Sequence, residues 1–347
     1  MRLTDVMSRP DDAPIRWGIL STGHIASVLT RDLALLPEEA AVVAVGSRSL
    51  AKAEQFAVEY DIPRAYGSYA ELAADPEVDV IYVASTHNDH LGSARLCLEA
   101  GKAVLVEKPL TVSAAETEEL VDLAGERGVF VMEALWSRTN PLLRRAAEIA
   151  RSGEIGVVRH VNASFGFAFR GEESHRLLDP DQAGGAILDL GVYPVHAVNL
   201  FLGEPDQLRG FGTLATTGVE THAAALLTFA ATEFRPPATA HITCSMEADL
   251  PQRLDVLGTD GSIRFENFLL PSEVTVIRGV GEDAEEETLV TQWPGGGYTF
   301  EIQEVNRCLR SGELESPLVP WRDSLAVART LDRWLLSVFP PLDPELA

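Results

Sequence analysis

Short apolar runs alternate with amphipathic helical patterns over the first half of this sequence, and this alternation constrains the fold most. The runs are rich in β-branched residues and indicate buried strands, while apolar residues three or four apart indicate helices between them. Such alternation predicts a parallel sheet with helices on both faces, the doubly wound α/β class. The predicted strands are 15–20, 41–46, 78–84, 103–106 and 129–132.

The alternation stops near residue 140, and strand-like runs separated by turns follow. Many strands joined by turns predict an open, mostly antiparallel sheet, and hence an α+β domain. We therefore predict two domains, 14–135 and 136–347, with an acidic loop or hairpin at 281–287. The predicted strands of the second domain are 157–169, 207–216, 223–231, 238–245, 253–258, 262–266 and 273–280, and its helices are 142–152, 300–310 and 322–338.

Composition excludes several classes of partner. The formal charge of −24 argues against binding to nucleic acid or to anionic membranes, which both call for basic patches. Cys97, Cys244 and Cys308 are far apart and form no CxxC motif, so neither a disulfide framework nor a metal site is expected. Residues 1–14 lack the apolar core of a signal peptide, and no apolar run approaches about 20 residues. We expect a soluble, cytoplasmic protein.

The first predicted strand leads into a turn at 21–26 that partly matches the dinucleotide fingerprint G-x-G-x-x-G/A. Ser21 replaces the first glycine, whereas Gly23 and Ala26 fill the other two places. The N-terminus of the next helix would face a pyrophosphate, although a tight turn without a ligand could have the same sequence. The candidate cofactor-binding residues of this turn are Ser21, Thr22, Gly23, His24 and Ile25.

The second predicted strand ends on Ser47 and Arg48, about 20 residues beyond the turn. An NAD site calls for an acid at this position, whereas a 2′-phosphate calls for a hydroxyl group and an arginine. Lys52 adds a further positive charge one helical turn later. The pattern favours NADP over NAD, and the alternative for Arg48 is a solvent-facing loop residue.

Two more polar clusters follow strands of the predicted parallel sheet. Thr86, Asn88 and His90 follow strand 78–84, where a nicotinamide and its ribose would lie, although His90 could also cap or pack against its helix. Glu107 and Lys108 directly follow the apolar run 103–106, at the carboxyl end of that strand. The chain has three lysines, Lys52, Lys102 and Lys108, and a partly desolvated lysine can tune its pKa for chemistry, unlike an arginine.

The second half has one chemically rich segment, which follows the double glycine at 184–185. A helix from Asp189 would place Asp189, Tyr193 and His196 on one face, and Pro194 is tolerated there in the first turn. An acid, a phenol and an imidazole on one stripe indicate a site. A polar contact between domains is the alternative.

The glycine turn, the pair Ser47-Arg48 and above all Glu107-Lys108-Pro109 resemble the glucose–fructose oxidoreductase, inositol dehydrogenase and MocA superfamily. Segments 132–138, 296–301 and 315–317 are similar to its dihydrodiol dehydrogenase and NADP-dependent xylose dehydrogenase branch. Asp189-Leu190-Gly191-Val192-Tyr193 matches the superfamily pattern Asp-x-Gly-x-(His or Tyr). The resemblance spans 15–333 and implies a Rossmann domain, a substrate and oligomerisation domain, and a cis bond before Pro109.

The resemblance also implies an NADP-dependent oxidoreductase that transfers a hydride between the nicotinamide and a CH–OH group of a sugar, polyol or dihydrodiol. Tyr193 would be the general acid/base, Lys108 would bind the reacting oxygen and the nicotinamide ribose, and Asp189 would orient Lys108 or a substrate hydroxyl. Lys108 is the alternative base. The implied cofactor residues include Glu107, Lys108, Trp136 and Arg138, and the implied substrate residues are Lys108, Arg176, Asp189, Tyr193 and His196.

Two alternative functions stay open beside the dehydrogenase, and the sequence also predicts an oligomer. The alternatives to a dehydrogenase are a redox-neutral glycosidase that uses NAD and a non-catalytic NADP-binding sensor. An open sheet leaves one face to be covered, and a second copy of the chain is the simplest cover. We expect a homodimer or a higher homo-oligomer formed through the sheet of the second domain.

Overall fold

The computed structural model describes residues 13–233 and 236–338. Its α-helices are α1 (His24–Leu33), α2 (Leu50–Tyr60), α3 (Tyr69–Ala74), α4 (His90–Glu99), α5 (Ala114–Arg127), α6 (Trp136–Thr139), α7 (Pro141–Ser152), α8 (Val192–Leu202), α9 (Thr299–Ser311) and α10 (Trp321–Val338). Its strands are β1 (Ile15–Leu20), β2 (Ala40–Gly46), β3 (Arg64–Tyr66), β4 (Val80–Val83), β5 (Ala103–Glu107), β6 (Val131–Ala134), β7 (Val158–Gly166), β8 (Gln207–Leu214), β9 (Glu220–Phe229), β10 (Ala238–Ser245), β11 (Leu254–Gly258), β12 (Gly261–Phe265), β13 (Glu273–Arg278) and β14 (Glu285–Val290).

The described residues divide into two compact units. Unit 1 contains residues 13–139 and Trp293–Ser324, and unit 2 contains Asn140–Gln292 and the residues from Leu325 to 338. This division differs from the predicted domains 14–135 and 136–347, because the chain returns to unit 1 near its end. Residues 339–347 of the second predicted domain lie outside the described part.

The returning segment is attached to unit 1 by buried polar contacts. The indole Nε1 of Trp17 donates to Asn306 Oδ1 at 3.1 Å. The carboxylate of Asp32 accepts from the backbone N–H groups of Gly296 and Tyr298, each at 2.8 Å. Contacts between residues this far apart in sequence leave no periodic pattern, so the sequence carries no sign of this attachment, and the domain bounds 14–135 and 136–347 stay a prediction.

Unit 1 is built on a six-stranded parallel sheet with the order β3-β2-β1-β4-β5-β6. Strands β4, β5 and β6 are buried on both faces, which explains their continuous apolar character. This confirms the predicted doubly wound fold, with β3 as a short strand that the sequence analysis missed. The strand order reverses next to β1, and ligands of such sheets bind beside the carboxyl ends of the strands at that point.

Unit 2 is built on an eight-stranded sheet with the order β14-β13-β12-β11-β7-β10-β9-β8. Every neighbouring pair is antiparallel except β7 and β10, which confirms the open, mostly antiparallel sheet. The acidic segment 281–287 forms a short turn and the first part of the edge strand β14. Helix α8 packs on β7 and β10, and thus covers one face of the sheet.

The segment that leads into α8 differs from its prediction. Ile187–Gly191 is π-helical and α8 follows it directly, so Asp189 does not begin a regular α-helix. Pro194 lies in the first turn of α8, as predicted. The expectation that no apolar run approaches membrane-spanning length is wrong for Pro180–Leu202. This stretch is long and apolar enough to cross a membrane, judged by length and composition alone. Of its most apolar window, 83% is buried inside the structure, and this burial accounts for its composition.

Candidate functional site

The turn between β1 and α1 leaves the N-terminus of a helix open to a ligand. Gly23 precedes α1 in an extended conformation, and no side chain caps the helix. The first N–H groups of a helix have no intrahelical partner, so those of His24 and Ile25 are placed to bind an anion. Ser21, at the position of the first fingerprint glycine, has φ of 92°, a conformation that normally favours glycine.

A groove of about 480 Å³ lies beside this turn. It brings together three of the five predicted turn residues and the end of β2, with residues of α1, α2 and α3 that the sequence analysis did not single out. The latter carry no sequence signal, because their exposure to the groove depends on how the helices pack. His24 and Ile25, the other two predicted turn residues, are not among those that line it. The lining residues are Ser21, Thr22, Gly23, Ser27, Ser47, Arg48, Ser49, Lys52, Gln55, Phe56, Glu59 and Tyr69.

The end of β2 presents hydroxyl groups and a cation to this groove. The Arg48 side chain is 76% exposed and lies 3.6 Å from a carboxylate oxygen of Asp89. Such an exposed, loose ion pair contributes little to stability and leaves the guanidinium available to a phosphate. The Ser47 hydroxyl accepts a hydrogen bond from Ser49 N at 3.4 Å, so it is fixed beside Arg48. Lys52 lines the same groove from α2.

The residues after β4 lie outside the set that lines the groove. Thr86 Oγ1 donates to Asp89 Oδ2 at 3.4 Å, Asn88 is exposed, and His90 is fully buried.

His90 Nδ1 is 2.8 Å from the carbonyl oxygen of Pro109, and Nε2 is 3.2 Å from that of Ser85. A neutral ring carries one N–H, and the shorter distance favours Nδ1 as its position. Burial lowers the pKa of His90, and both backbone contacts oppose that shift. The ring therefore holds the Lys108–Pro109 segment.

Two buried acids hold the same segment from either side. Glu107 accepts a hydrogen bond from the Tyr82 hydroxyl of β4 and another from Lys108 N at 3.2 Å. Glu133 of β6 accepts from Leu110 N at 3.1 Å and from Ser324 Oγ at 2.6 Å. The peptide bond between Lys108 and Pro109 is cis, as the resemblance implied. Lys108 itself is partly exposed at the carboxyl end of β5, on a segment that its surroundings fix closely.

Trp136 and Arg138 are engaged in contacts within unit 1. The Trp136 ring stacks on Tyr298 with centroids 5.2 Å apart. The buried guanidinium of Arg138 donates to Asp323 Oδ2 at 2.7 Å. Neither residue lines the groove beside β1 and β2. The structure thus gives both residues a part in joining α6 to the returning segment, and their assignment to the cofactor stays a prediction.

Four of the five predicted substrate residues lie in unit 2, on or near the π-helical segment, whereas Lys108 lies in unit 1. Asp189 Oδ1 is 3.5 Å from both terminal nitrogens of Arg176, whose side chain is partly exposed. Tyr193 packs edge-on against Phe165, with ring centroids 5.6 Å apart. Tyr193 and His196 are buried and three residues apart on α8, so they share a face of that helix. Acid, base and phenol groups thus lie along one stretch of unit 2.

The described residues include no group of three or more His, Cys, Asp or Glu side chains placed to hold a metal ion. The cysteines of this part, Cys97, Cys244 and Cys308, are buried thiols.

Comparisons with known proteins cover almost the whole described chain. Residues 15–135 match the family profile "Oxidoreductase family, NAD-binding Rossmann fold", and residues 143–264 match the "GFO/IDH/MocA C-terminal domain". A trans-1,2-dihydrobenzene-1,2-diol dehydrogenase of Mus musculus is 40% identical over 328 residues, which cover 92% of this chain and 95% of that protein. The Homo sapiens enzyme of the same name is 38% identical over 333 residues, with the same coverage of 92% and 95%.

Solved structures agree with this assignment. The 3-ketoreductase KijD10 from Actinomadura kijaniata, in complex with NADP and TDP-benzene, is 29% identical with a TM-score of 0.80, covering 94% of this chain and 98% of that chain. Levoglucosan dehydrogenase in complex with NADH and levoglucosan has a TM-score of 0.83 at 18% identity, covering 94% and 97%, and so shares the fold. The chain belongs to the GFO/IDH/MocA family of NAD(P)-dependent oxidoreductases.

Proposed function

We propose that this protein is an NADP-dependent dehydrogenase that oxidises a CH–OH group of a dihydrodiol, sugar or polyol. The observation that carries the choice of cofactor is the end of β2, where Ser47, Arg48 and Ser49 line the groove and no carboxylate directly follows the strand. A 2′-phosphate would receive hydrogen bonds from the hydroxyl groups and the charge of Arg48 and Lys52. The uncapped N-terminus of α1 fits the pyrophosphate.

The substrate class rests on the relatives. Proteins about 40% identical are named trans-1,2-dihydrobenzene-1,2-diol dehydrogenases, and a structural neighbour is a levoglucosan dehydrogenase. Vicinal hydroxyl groups are common to dihydrodiols and sugars. The pair of Arg176 and Asp189, one donor and one acceptor group, suits the recognition of such hydroxyls.

The reaction removes a hydride from carbon and a proton from oxygen. NADP⁺, when bound, accepts the hydride. In the proposal the phenolate form of Tyr193 accepts the hydroxyl proton as general base and becomes the neutral phenol. The ammonium group of Lys108 favours that phenolate and donates a hydrogen bond to the reacting oxygen. Asp189 orients a substrate hydroxyl. Lys108 is the alternative proton acceptor, and a pH profile of Tyr193→Phe distinguishes the two assignments.

The cofactor proposal is tested by the ratio of kcat/KM values for NADP⁺ and NAD⁺. We expect NADP⁺ to be preferred, and Arg48→Ala to weaken NADP⁺ binding about 10- to 100-fold, the size of a lost hydrogen bond to a charged group. NAD⁺ binding should hardly change, because NAD⁺ lacks the 2′-phosphate. Fluorescence titration with each cofactor measures both effects. An equal loss for the two cofactors would contradict a role of Arg48 at the 2′-phosphate.

The catalytic role of Lys108 is tested with Lys108→Met, which keeps the length of the side chain and removes its charge. We expect turnover of a panel of dihydrodiols, aldoses and polyols to fall by at least about 10²-fold, while NADP⁺ still binds. Formation of NADPH is followed by absorbance. Full activity of this variant would remove Lys108 from the mechanism, and glycoside cleavage without net NADPH by the wild type would favour a glycosidase.

The proposal includes self-association through the sheet of unit 2. Phe211 of β8 lies opposite Ala224 of β9, and Leu226 of β9 lies opposite His241 of β10, so all four point to one side of the sheet. We call this side the outer sheet face. Phe211 is 81% exposed and Leu226 50% exposed. Large apolar side chains on an open sheet are typical of an interface, and a second copy of the chain would cover them.

A further inference from the structure

A buried carboxyl group lies at the start of the π-helical segment that carries Asp189. Glu220 is the first residue of β9, and only 2% of its surface is exposed. Its Oε1 accepts a hydrogen bond from the backbone N–H of Ile187, the first residue of the π-helical segment, at 2.8 Å. A side chain from a neighbouring strand therefore fixes the point where this segment begins.

The chain just before Ile187 is fitted closely to the same carboxyl group. Gly185 has φ of 120°, and a Cβ atom added there would lie 2.4 Å from Glu220 Oε1. Gly185 O in turn accepts a hydrogen bond from Asp189 N at 3.3 Å. Asp189 is thus hydrogen-bonded to Gly185, which packs closely against Glu220, and lies two residues beyond Ile187, which donates to Glu220. Only glycine satisfies both the backbone conformation and the space at position 185.

The π-helical turn makes the direction of the Asp189 side chain sensitive to the hydrogen bond between Ile187 N–H and Glu220. A π turn is rare, and it changes the rotation of each later side chain relative to an α-helix. If the N–H of Ile187 loses its acceptor, this buried donor at the start of the segment is left unsatisfied, and a shift of the segment that brings the N–H to another acceptor becomes favourable. Such a shift would turn the Asp189 carboxylate away from Arg176.

We propose that Glu220 is a positioning residue for Asp189. By accepting the Ile187 N–H, it fixes the π-helical turn and so directs the Asp189 carboxylate towards Arg176 and a substrate hydroxyl. The inference rests on the proposed function in its assignment of Asp189 to the substrate. The role of Glu220 is to hold the backbone, so a neutral acceptor of the same shape can replace it.

The experiment compares Glu220→Leu, which removes the acceptor, with Glu220→Gln, which keeps an acceptor oxygen. Glu247→Gln is the matched control, because Glu247 is an exposed acid of the same unit that accepts from Thr221 and not from the π-helical segment. Two quantities are measured on the full-length enzyme. One is hydrogen exchange of the amides at 187–191, and the other is kcat and KM with NADP⁺ and the best substrate of the panel.

We expect Glu220→Leu to exchange the 187–191 amides faster and to lower kcat about 10- to 100-fold, the cost of a misplacement of about 1 Å. The KM for NADP⁺ should stay within about threefold, because the cofactor groove is in unit 1. Glu220→Gln should resemble the wild type in both quantities, and so should the control. Wild-type exchange and kcat in Glu220→Leu would overturn the inference.

Glu220→Asp provides a second variant where Glu220→Leu fails to fold. It keeps the charge but withdraws the carboxylate by one methylene group, so it should show the same two effects. A wild-type-like Glu220→Asp would overturn the inference. Absence of any turnover by the wild type would contradict the proposed function instead, while faster exchange in Glu220→Leu would still support the anchoring of the turn by Glu220.

Discussion

Burial of the Glu220 carboxyl group also has a measurable effect on the free energy of unfolding, because burial disfavours the charged form. Burial raises the pKa of Glu220 from 4.5 to about 7, and the backbone N–H groups of Ile187 and of Glu220 itself offset the shift only in part. The nearby thiol of Cys244 stays protonated, since burial and the charge of Glu220 both raise its pKa. Between these two pH values the folded protein retains a proton that the unfolded chain has lost. The stability contributed by the protonated group is full below pH 4.5 and is lost as the pH rises through about 7.

Glu220→Gln should abolish this loss, because the amide is neutral in both states. We expect the variant to gain stability relative to the wild type between about pH 5 and about pH 8, by up to about 3 kcal/mol. Urea unfolding at the two pH values measures the difference. Glu247→Gln is the control, since the hydrogen bond from Thr221 lowers the pKa of Glu247 and places its titration below this range. The prediction would be contradicted if the free energies of unfolding of Glu220→Gln and wild type differed by the same amount at both pH values.

At the level of elements, β4 and β5 are joined by the contact between Tyr82 and Glu107 as well as by their backbone ladder. Tyr82 is fully buried, and burial, together with the neighbouring Glu107, raises the pKa of its hydroxyl well above 10, so it stays a donor. Tyr82→Phe removes that donor and leaves a buried carboxyl oxygen with one contact fewer. We expect a loss of about 1–3 kcal/mol in the free energy of unfolding, measured by urea denaturation.

The same variant tests how the Lys108 segment is held. Glu107 also accepts from Lys108 N, so a looser Glu107 should lower kcat while NADP⁺ affinity is retained. Tyr66→Phe is a suitable control, because Tyr66 also donates to a carboxylate, that of Asp75, but away from the Lys108 segment. Equal effects of the two variants on kcat would show that Tyr82 has no special part in positioning.

The sequence predicted those elements whose pattern is local. The strand Ile15–Leu20, for example, follows from its short apolar run, and the structure has it with the same bounds. The site residues of the β1 turn and of β2 follow from the known chemistry of parallel sheets. What escaped prediction depends on packing at long range, as with the π turn at Ile187–Gly191, the role of Glu220 and the return of the chain at 293–324.

At the scale of the whole molecule, the outer sheet face tests the proposed self-association. A homodimer should sediment at about twice the chain mass of 37.6 kDa. Phe211→Glu and Leu226→Glu each place a charge where the proposed interface would exclude water, so these variants should sediment as monomers. Val58→Glu is the matched control, because Val58 is an apolar residue of unit 1 that is 85% exposed and lies outside this face. It should remain a dimer.

A wild type of monomer mass would contradict the proposed dimer. Phe211 and Leu226 variants that stay dimeric would show that the interface lies elsewhere. Loss of kcat in the monomeric variants would further show that turnover depends on the association.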